Sequence, residues 1–70
     1  MTRQWRKGPP PEIGWWPASV DRDPFSIRWW DGNFWSFPCW PEYTKEVAAA
    51  RATIRSGASS AIEWTARWWL

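Results

Sequence analysis

Phe25-Ser26-Ile27-Arg28-Trp29-Trp30-Asp31-Gly32-Asn33-Phe34-Trp35-Ser36-Phe37 is the stretch whose reading decides the fold. Two aromatic runs flank Asp31-Gly32, and Asp-Gly between such runs signals a β-hairpin. The faces decide the register. A two-residue loop pairs Trp30 with Asn33 and mixes large rings with polar groups on both faces. A three-residue loop, Trp30-Asp31-Gly32, pairs Trp29 with Asn33 instead. This is the type I turn plus bulge form, in which Gly32 supplies a positive φ. Phe25, Ile27, Trp29, Trp35 and Phe37 then share one face, and Ser26, Arg28, Phe34 and Ser36 the other. That register separates apolar from polar side chains better and is the expected one.

On the N-terminal side, Ile13-Gly14-Trp15-Trp16 predicts a strand over 13–17, which Pro17 ends or confines to an edge. Asp21-Arg22-Asp23-Pro24 reads as a turn. Residues 1–12 hold Arg3, Arg6, Lys7 and Pro9-Pro10-Pro11, and read as a flexible basic, Pro-rich arm. On the C-terminal side, Pro38-Cys39-Trp40-Pro41 breaks the strand pattern, and Pro41 suits the first turn of a helix. Glu42 and Glu46 sit near the positive helix end, Arg51 and Arg55 near the negative end. Gly57 fits a C-cap. Tyr43, Val47, Ala50 and Ile54 recur at helical spacing and predict a helix over 42–56. The small Ala48, Ala49 and Ala52 let indoles pack close to it. Residues 61–70 alternate, predicting a closing strand over 61–66. The expected fold is α+β: a small antiparallel sheet of three to four strands with one α-helix packed on one face. It forms a single domain over residues 13–70 behind the arm.

Ten of the 70 residues are Trp, with three Phe and one Tyr beside them. A domain of this length buries only about 60% of the surface its unfolded chain exposes. Each indole occupies about 150–250 Å², so the rings cannot all lie inside. Periodicity assigns Ile27, Trp29, Trp35, Phe37, Val47, Ile54, Ile62 and Trp64 inward, together with Trp15. Trp5, Trp16, Trp30, Phe34, Trp40, Trp68 and Trp69 are left over. Exposed apolar patches mark binding sites, and Trp and Arg are enriched at interface hot spots. The candidate partner-binding anchors are therefore Trp16, Trp30, Phe34, Trp40, Trp68 and Trp69, with Arg28 and Arg67 as polar contacts. Beside this stands a purely local alternative. Trp16 can pack on Pro17, Trp40 between Pro38 and Pro41, and arginines can lie over indoles as cation–π pairs.

Catalytic chemistry has little to stand on. Without His the commonest general base is missing. With one Cys, neither an internal disulfide nor a Cys/His zinc site can be assembled. Cys39 reads as a buried or inert thiol. Asp21, Asp23 and Asp31 fall where turns use Asp, and the four glycines are isolated, so no phosphate-cradling loop exists. No catalytic residue, cofactor or metal is expected. The formal charge of +2 does not force a nucleic-acid partner. No apolar run approaches the roughly 20 residues of a membrane span. No signal-peptide pattern opens the chain, so a reduced, cytoplasmic setting and a monomer are expected. Four binding readings follow. The first is a protein–protein interface. The second is nucleic acid, held by Arg3, Arg6, Lys7 and stacked indoles. The third is a Pro-rich peptide between Trp30 and Trp40. The fourth is a sugar platform, which usually belongs to extracellular modules.

Two resemblances attach to these residues. Gly14-Trp15-Trp16-Pro17 followed by Arg28-Trp29-Trp30-Asp31-Gly32-Asn33-Phe34-Trp35-Ser36 resembles a short Trp-rich bacterial domain of unknown function. That domain reads G-W-Y-P-D-P, then R-Y-W-D-G-x-x-W-T; here Ala18-Ser19 stands in place of its Asp-Pro. Gly14–Ser19, Arg28–Ser36 and Ile62–Trp69 together resemble small proteins encoded by phages and prophages of proteobacteria. Such proteins are often inhibitors of host machinery, including anti-CRISPR proteins. The resemblance implies, at the level of class, an inhibitor that binds a host protein complex such as a CRISPR effector subunit. It implies no particular binding residues.

Overall fold

A computed structural model describes residues 3–57 and 59–69. β1 (Gly14–Ser19) is the middle strand of an antiparallel sheet, between β2 (Ile27–Trp30) and β3 (Glu63–Trp64). Trp15 faces Trp29 and Pro17 faces Ile27 on one side, and Ala18 faces Trp64 on the other. With one helix, α1 (Lys45–Ala52), this is a small α+β arrangement. Isolated bridges widen the layer. Trp35 pairs with Trp30, Cys39 with Ile27, Arg55 with Ser36, and Arg6 with Trp64. Pro17 therefore sits in a central strand, not at the expected edge. Its carbonyl still accepts from the Thr65 N–H at 3.0 Å, so the ladder toward β3 loses only the donor that proline lacks.

The hairpin loop differs from the expected one, with consequences for every ring. Asp31 Oδ1 accepts from the N–H groups of Asn33 and Phe34, both at 2.7 Å, and the Asp31 N–H donates to the Phe34 carbonyl. Gly32 does adopt a positive φ, 102°. The loop is four residues, 31–34, closed by the Trp30–Trp35 pair. Trp30 and Trp35 thus share a face with Arg28, while Ile27 and Trp29 point to the opposite one. The returning strand carries one residue more between Trp35 and Cys39 than β2 does between Trp30 and Ile27, a bulge at Pro38. The Asp31 side chain acts as the turn's acceptor, and the two N–H groups hold its pKa below the ordinary carboxylate value. A depressed folded-state pKa means that the contribution is full above the unfolded value of about 3.9 and fades as pH falls through the folded one. Unfolding midpoints of the wild type should therefore drop more steeply below pH 4 than those of Asp31→Asn. Parallel acid profiles would disprove the role.

α1 is shorter than the expected 42–56. Thr44 caps it, its hydroxyl accepting from the Val47 N–H at 3.2 Å. It stops at Thr53 because the backbone beyond is taken by the sheet. The Phe37 N–H donates to the Ile54 carbonyl and the Ser56 N–H to the Trp35 carbonyl, both at 2.8 Å. Gly57 is accordingly not its cap. The helix also turns a different side toward the sheet. Val47 and Ile54, expected inward, are exposed. The stripe Lys45, Ala48, Ala49 and Ala52 instead faces Trp15 and Trp29 across a groove of about 530 Å³. Among the described residues no helix is long and apolar enough to cross a membrane.

The expected flexible arm is built into the sheet over its described residues. The Arg6 and Trp64 backbones exchange two hydrogen bonds of 2.8 Å. Thr65 Oγ1 donates to the Gln4 carbonyl at 2.8 Å, and Pro10 is buried. The core is the set Trp16, Ala18, Trp30, Trp35 and Ile62, with Trp64 packed against it. Of the residues assigned inward, Trp35 and Ile62 are there and Trp64 adjoins them. Phe37 is exposed, and Ile27, Trp29 and Trp15 are half-buried on the other face. The interior is also unusually polar, with Ser19, Ser26, Arg28, Ser36, Ser56 and Thr65 all buried.

Candidate functional site

The expected anchor set divides into core and surface. Trp16 and Trp30 are 7% and 9% exposed. Trp30 packs on Trp35 with ring centroids 5.0 Å apart, and Trp16 meets Trp64 edge-on at 5.1 Å. Both are corrected from exposed anchors to core residues, because the Trp30–Trp35 pairing turns their face inward. Arg28 is likewise not a surface contact. It is 7% exposed, and its guanidinium donates to the Ala18 carbonyl at 3.2 Å, the Ser36 carbonyl at 3.2 Å and Ser56 Oγ at 3.0 Å. Burial pulls its pKa down and Asp21 opposes that, but a guanidinium remains charged at neutral pH. Arg67 is also occupied. It donates to the Trp15 carbonyl at 2.7 Å, pairs with Glu12 at 2.6 Å and lies 3.9 Å over the Trp16 ring. Gly14 makes room for it: with φ at 146°, a Cβ there would stand 2.9 Å from Arg67 Nη2.

The remaining anchors are accessible but fall into separate groups. Phe34 is exposed, with the Arg55 guanidinium 3.6 Å over its ring. Trp40 is half-buried and tilts against Tyr43 at 5.8 Å, and Arg51 covers the Tyr43 ring. Trp30 and Trp40 therefore do not form opposed walls for a peptide. Cys39, beside Trp40, is buried, and burial pushes its thiol pKa up.

The most exposed aromatic group is one the sequence named only in part. Phe25, Trp68 and Trp69 stack edge-to-face in a row, with centroid distances of 5.9 and 5.0 Å. They are 58%, 38% and 40% exposed. Trp68 Nε1 donates to the Pro24 carbonyl at 2.7 Å, which ties the row to the turn before β2. A second apolar surface is the Trp15–Trp29 groove, where the two indoles meet at 5.5 Å and 78°. Neither Phe25 nor the Trp15–Trp29 pair was singled out as a binding candidate. Their signal was present: Trp15 and Trp29 become cross-strand neighbours once Gly14 is paired with Trp30. No known protein family, characterised protein or solved structure matches the chain.

Proposed function

We propose that the chain is a small non-catalytic inhibitor that docks on a host protein complex through exposed aromatics, in the manner of an anti-CRISPR protein blocking a CRISPR effector. The observation that carries the reading is the Phe25–Trp68–Trp69 row. Three large rings held in fixed mutual geometry, each more than a third exposed, offer apolar contact area at low ordering cost. Trp is also the commonest hot-spot residue. The class-level resemblance of Gly14–Ser19, Arg28–Ser36 and Ile62–Trp69 to phage-encoded inhibitors supplies the choice of partner class.

The test is co-purification of the tagged protein from host lysate treated with nuclease, followed by reconstitution with the purified complex. Trp68→Ala/Trp69→Ala should weaken the complex at least a hundredfold while the far-UV circular dichroism stays that of wild type. Trp40→Ala, which alters a half-buried ring outside the row, should change affinity less than fivefold. Equal losses from both variants, or no host protein retained by the wild type, would sink the reading.

A further inference from the structure

The docked N-terminal segment creates a second, chemically different surface. A cavity of about 480 Å³ lies between this segment and β1 and β3. Arg3, Gln4 and Arg6 line one side, and Trp16, Trp64 and Thr65 line the other. No carboxylate of the described residues takes part in the lining. The ion pairs among the described residues are Arg22–Glu63 and Arg67–Glu12, so neither Arg3 nor Arg6 has an acidic partner among them. Arg3 donates once, to the Ala66 carbonyl at 3.1 Å, and Arg6 Nη2 donates to Gln4 Oε1 at 3.2 Å. A guanidinium has five N–H donors, so most of the donor capacity of both remains open to an anion.

The opposite wall is formed by two indoles and Thr65. Trp16 and Trp64 stand edge to face there. The Trp16 Nε1–H is used by the Glu12 carbonyl, whereas the buried Trp64 Nε1–H has no acceptor among the described residues. The wall is also anchored: the paired Arg6–Trp64 backbone bonds and the Thr65–Gln4 bond fix both sides to the same sheet.

From two arginines without an acidic partner among the described residues, facing an indole wall, we infer that this cavity binds a nucleotide unit. The phosphate lies between Arg3 and Arg6, and the base lies against the Trp64 side. Guanidinium forks match phosphate geometry, and indoles accept any base without regard to sequence. The unit comes either as a free nucleotide or within a single strand. The inference is independent of protein docking at Phe25, Trp68 and Trp69, and it needs only purified protein.

The experiment measures binding of the full chain to a fluorescein-labelled twelve-residue oligothymidylate and to thymidine monophosphate, across a salt series. Arg3→Ala/Arg6→Ala is compared with a charge-matched control, Arg51→Ala/Arg55→Ala, that leaves the cavity intact. The expected result is micromolar binding of the oligonucleotide at low salt, weakened at least tenfold by Arg3→Ala/Arg6→Ala and less than threefold by the control. The salt slope should also fall by about 0.7, the amount that one lost single-strand phosphate contact predicts. Tighter binding of the oligonucleotide assigns the site to single strands, and equal affinity per nucleotide assigns it to the free nucleotide. Absence of binding to both ligands, or equal weakening by the two double variants, overturns the inference. Trp68→Ala/Trp69→Ala should leave this binding unchanged, so failure here and failure of host-complex docking are read separately.

Discussion

Replacing Arg28 with methionine should lower unfolding free energy by about 3 kcal/mol, although the new side chain has similar length and removes a buried charge. Two effects oppose each other. Removing a guanidinium that is 7% exposed recovers the cost of desolvating it. Against this, its donors reach three separate segments: Ala18 in β1, Ser36 in the returning hairpin strand and Ser56 beyond α1. Two of these acceptors are backbone carbonyls that no side-chain choice can delete. A buried acceptor that loses a charged donor costs about 1–3 kcal/mol, so the losses exceed the gain. For a domain of 70 residues, total stability is on the order of 4–10 kcal/mol, and the variant forfeits a large share of it. Arg28→Lys should fall between, near about 1–2 kcal/mol, because one ammonium cannot span all three acceptors. Urea unfolding followed by Trp fluorescence decides the matter. A loss below 1 kcal/mol for Arg28→Met would show that the three contacts are dispensable.

Arg28 also shows why the facing of the sheet is not legible in the sequence. Element types were legible: the Asp31-Gly32 hairpin, the Ala-rich helix and strands at both ends all exist near their expected places. The facing was not. Choosing the register by segregating apolar from polar side chains assumes that polar groups face solvent. Here Arg28 and Ser26 are buried, and the Arg28 guanidinium donates to the Ala18 and Ser36 carbonyls inside. Asp31 chose the loop length by accepting from Asn33 and Phe34, a local bond that dipeptide statistics do not resolve. Once the loop has four residues, Trp30 and Trp35 turn inward together and Trp29 turns out. Both errors in the candidate anchors, Trp16 and Trp30, follow from that single step.

The helix is shorter than the expected 42–56 and faces differently for a related reason. The spacing of Tyr43, Val47, Ala50 and Ile54 is a valid helical stripe, but Ile54 lies beyond α1 because its carbonyl is bound by Phe37 in the sheet. Competition between helix and strand for the same backbone groups is tertiary and does not show in local periodicity. The candidate site was legible only at its C-terminal end. Trp68 and Trp69 stand out as adjacent rings beyond the strand expected over 61–66, whereas their neighbour Phe25 falls on the apolar face of the expected hairpin. The motif residues quoted from the sequence are largely interior: Trp16, Ala18, Ser19, Arg28, Trp30, Trp35, Ser36, Ile62 and Thr65 are all buried.

The contrast between interior and surface indoles yields the largest expected effect, the loss of Trp35. This ring is 2% exposed and packs against Trp30 at 5.0 Å. Its backbone also receives the Ser56 N–H at 2.8 Å and donates to Ser59 Oγ at 3.1 Å, so the segment that covers the core is registered on this residue. Truncating a buried Trp to Ala costs about 3–5 kcal/mol, since the lost transfer free energy adds to that of a cavity the backbone cannot close. With about 4–8 °C per kcal/mol for a domain of this size, the melting midpoint should fall by at least about 12 °C, and expression at 37 °C should suffer. Trp69→Ala removes a ring of the same size that is 40% exposed and whose ring partner among the described residues is Trp68, and should move the midpoint by no more than about 5 °C. The two variants have identical composition, so the ratio of their effects isolates position from chemistry. Comparable midpoints for both would mean that the interior assigned to Trp35 is wrong, and with it the inward turn of Trp30 on which the division of the ten tryptophans rests.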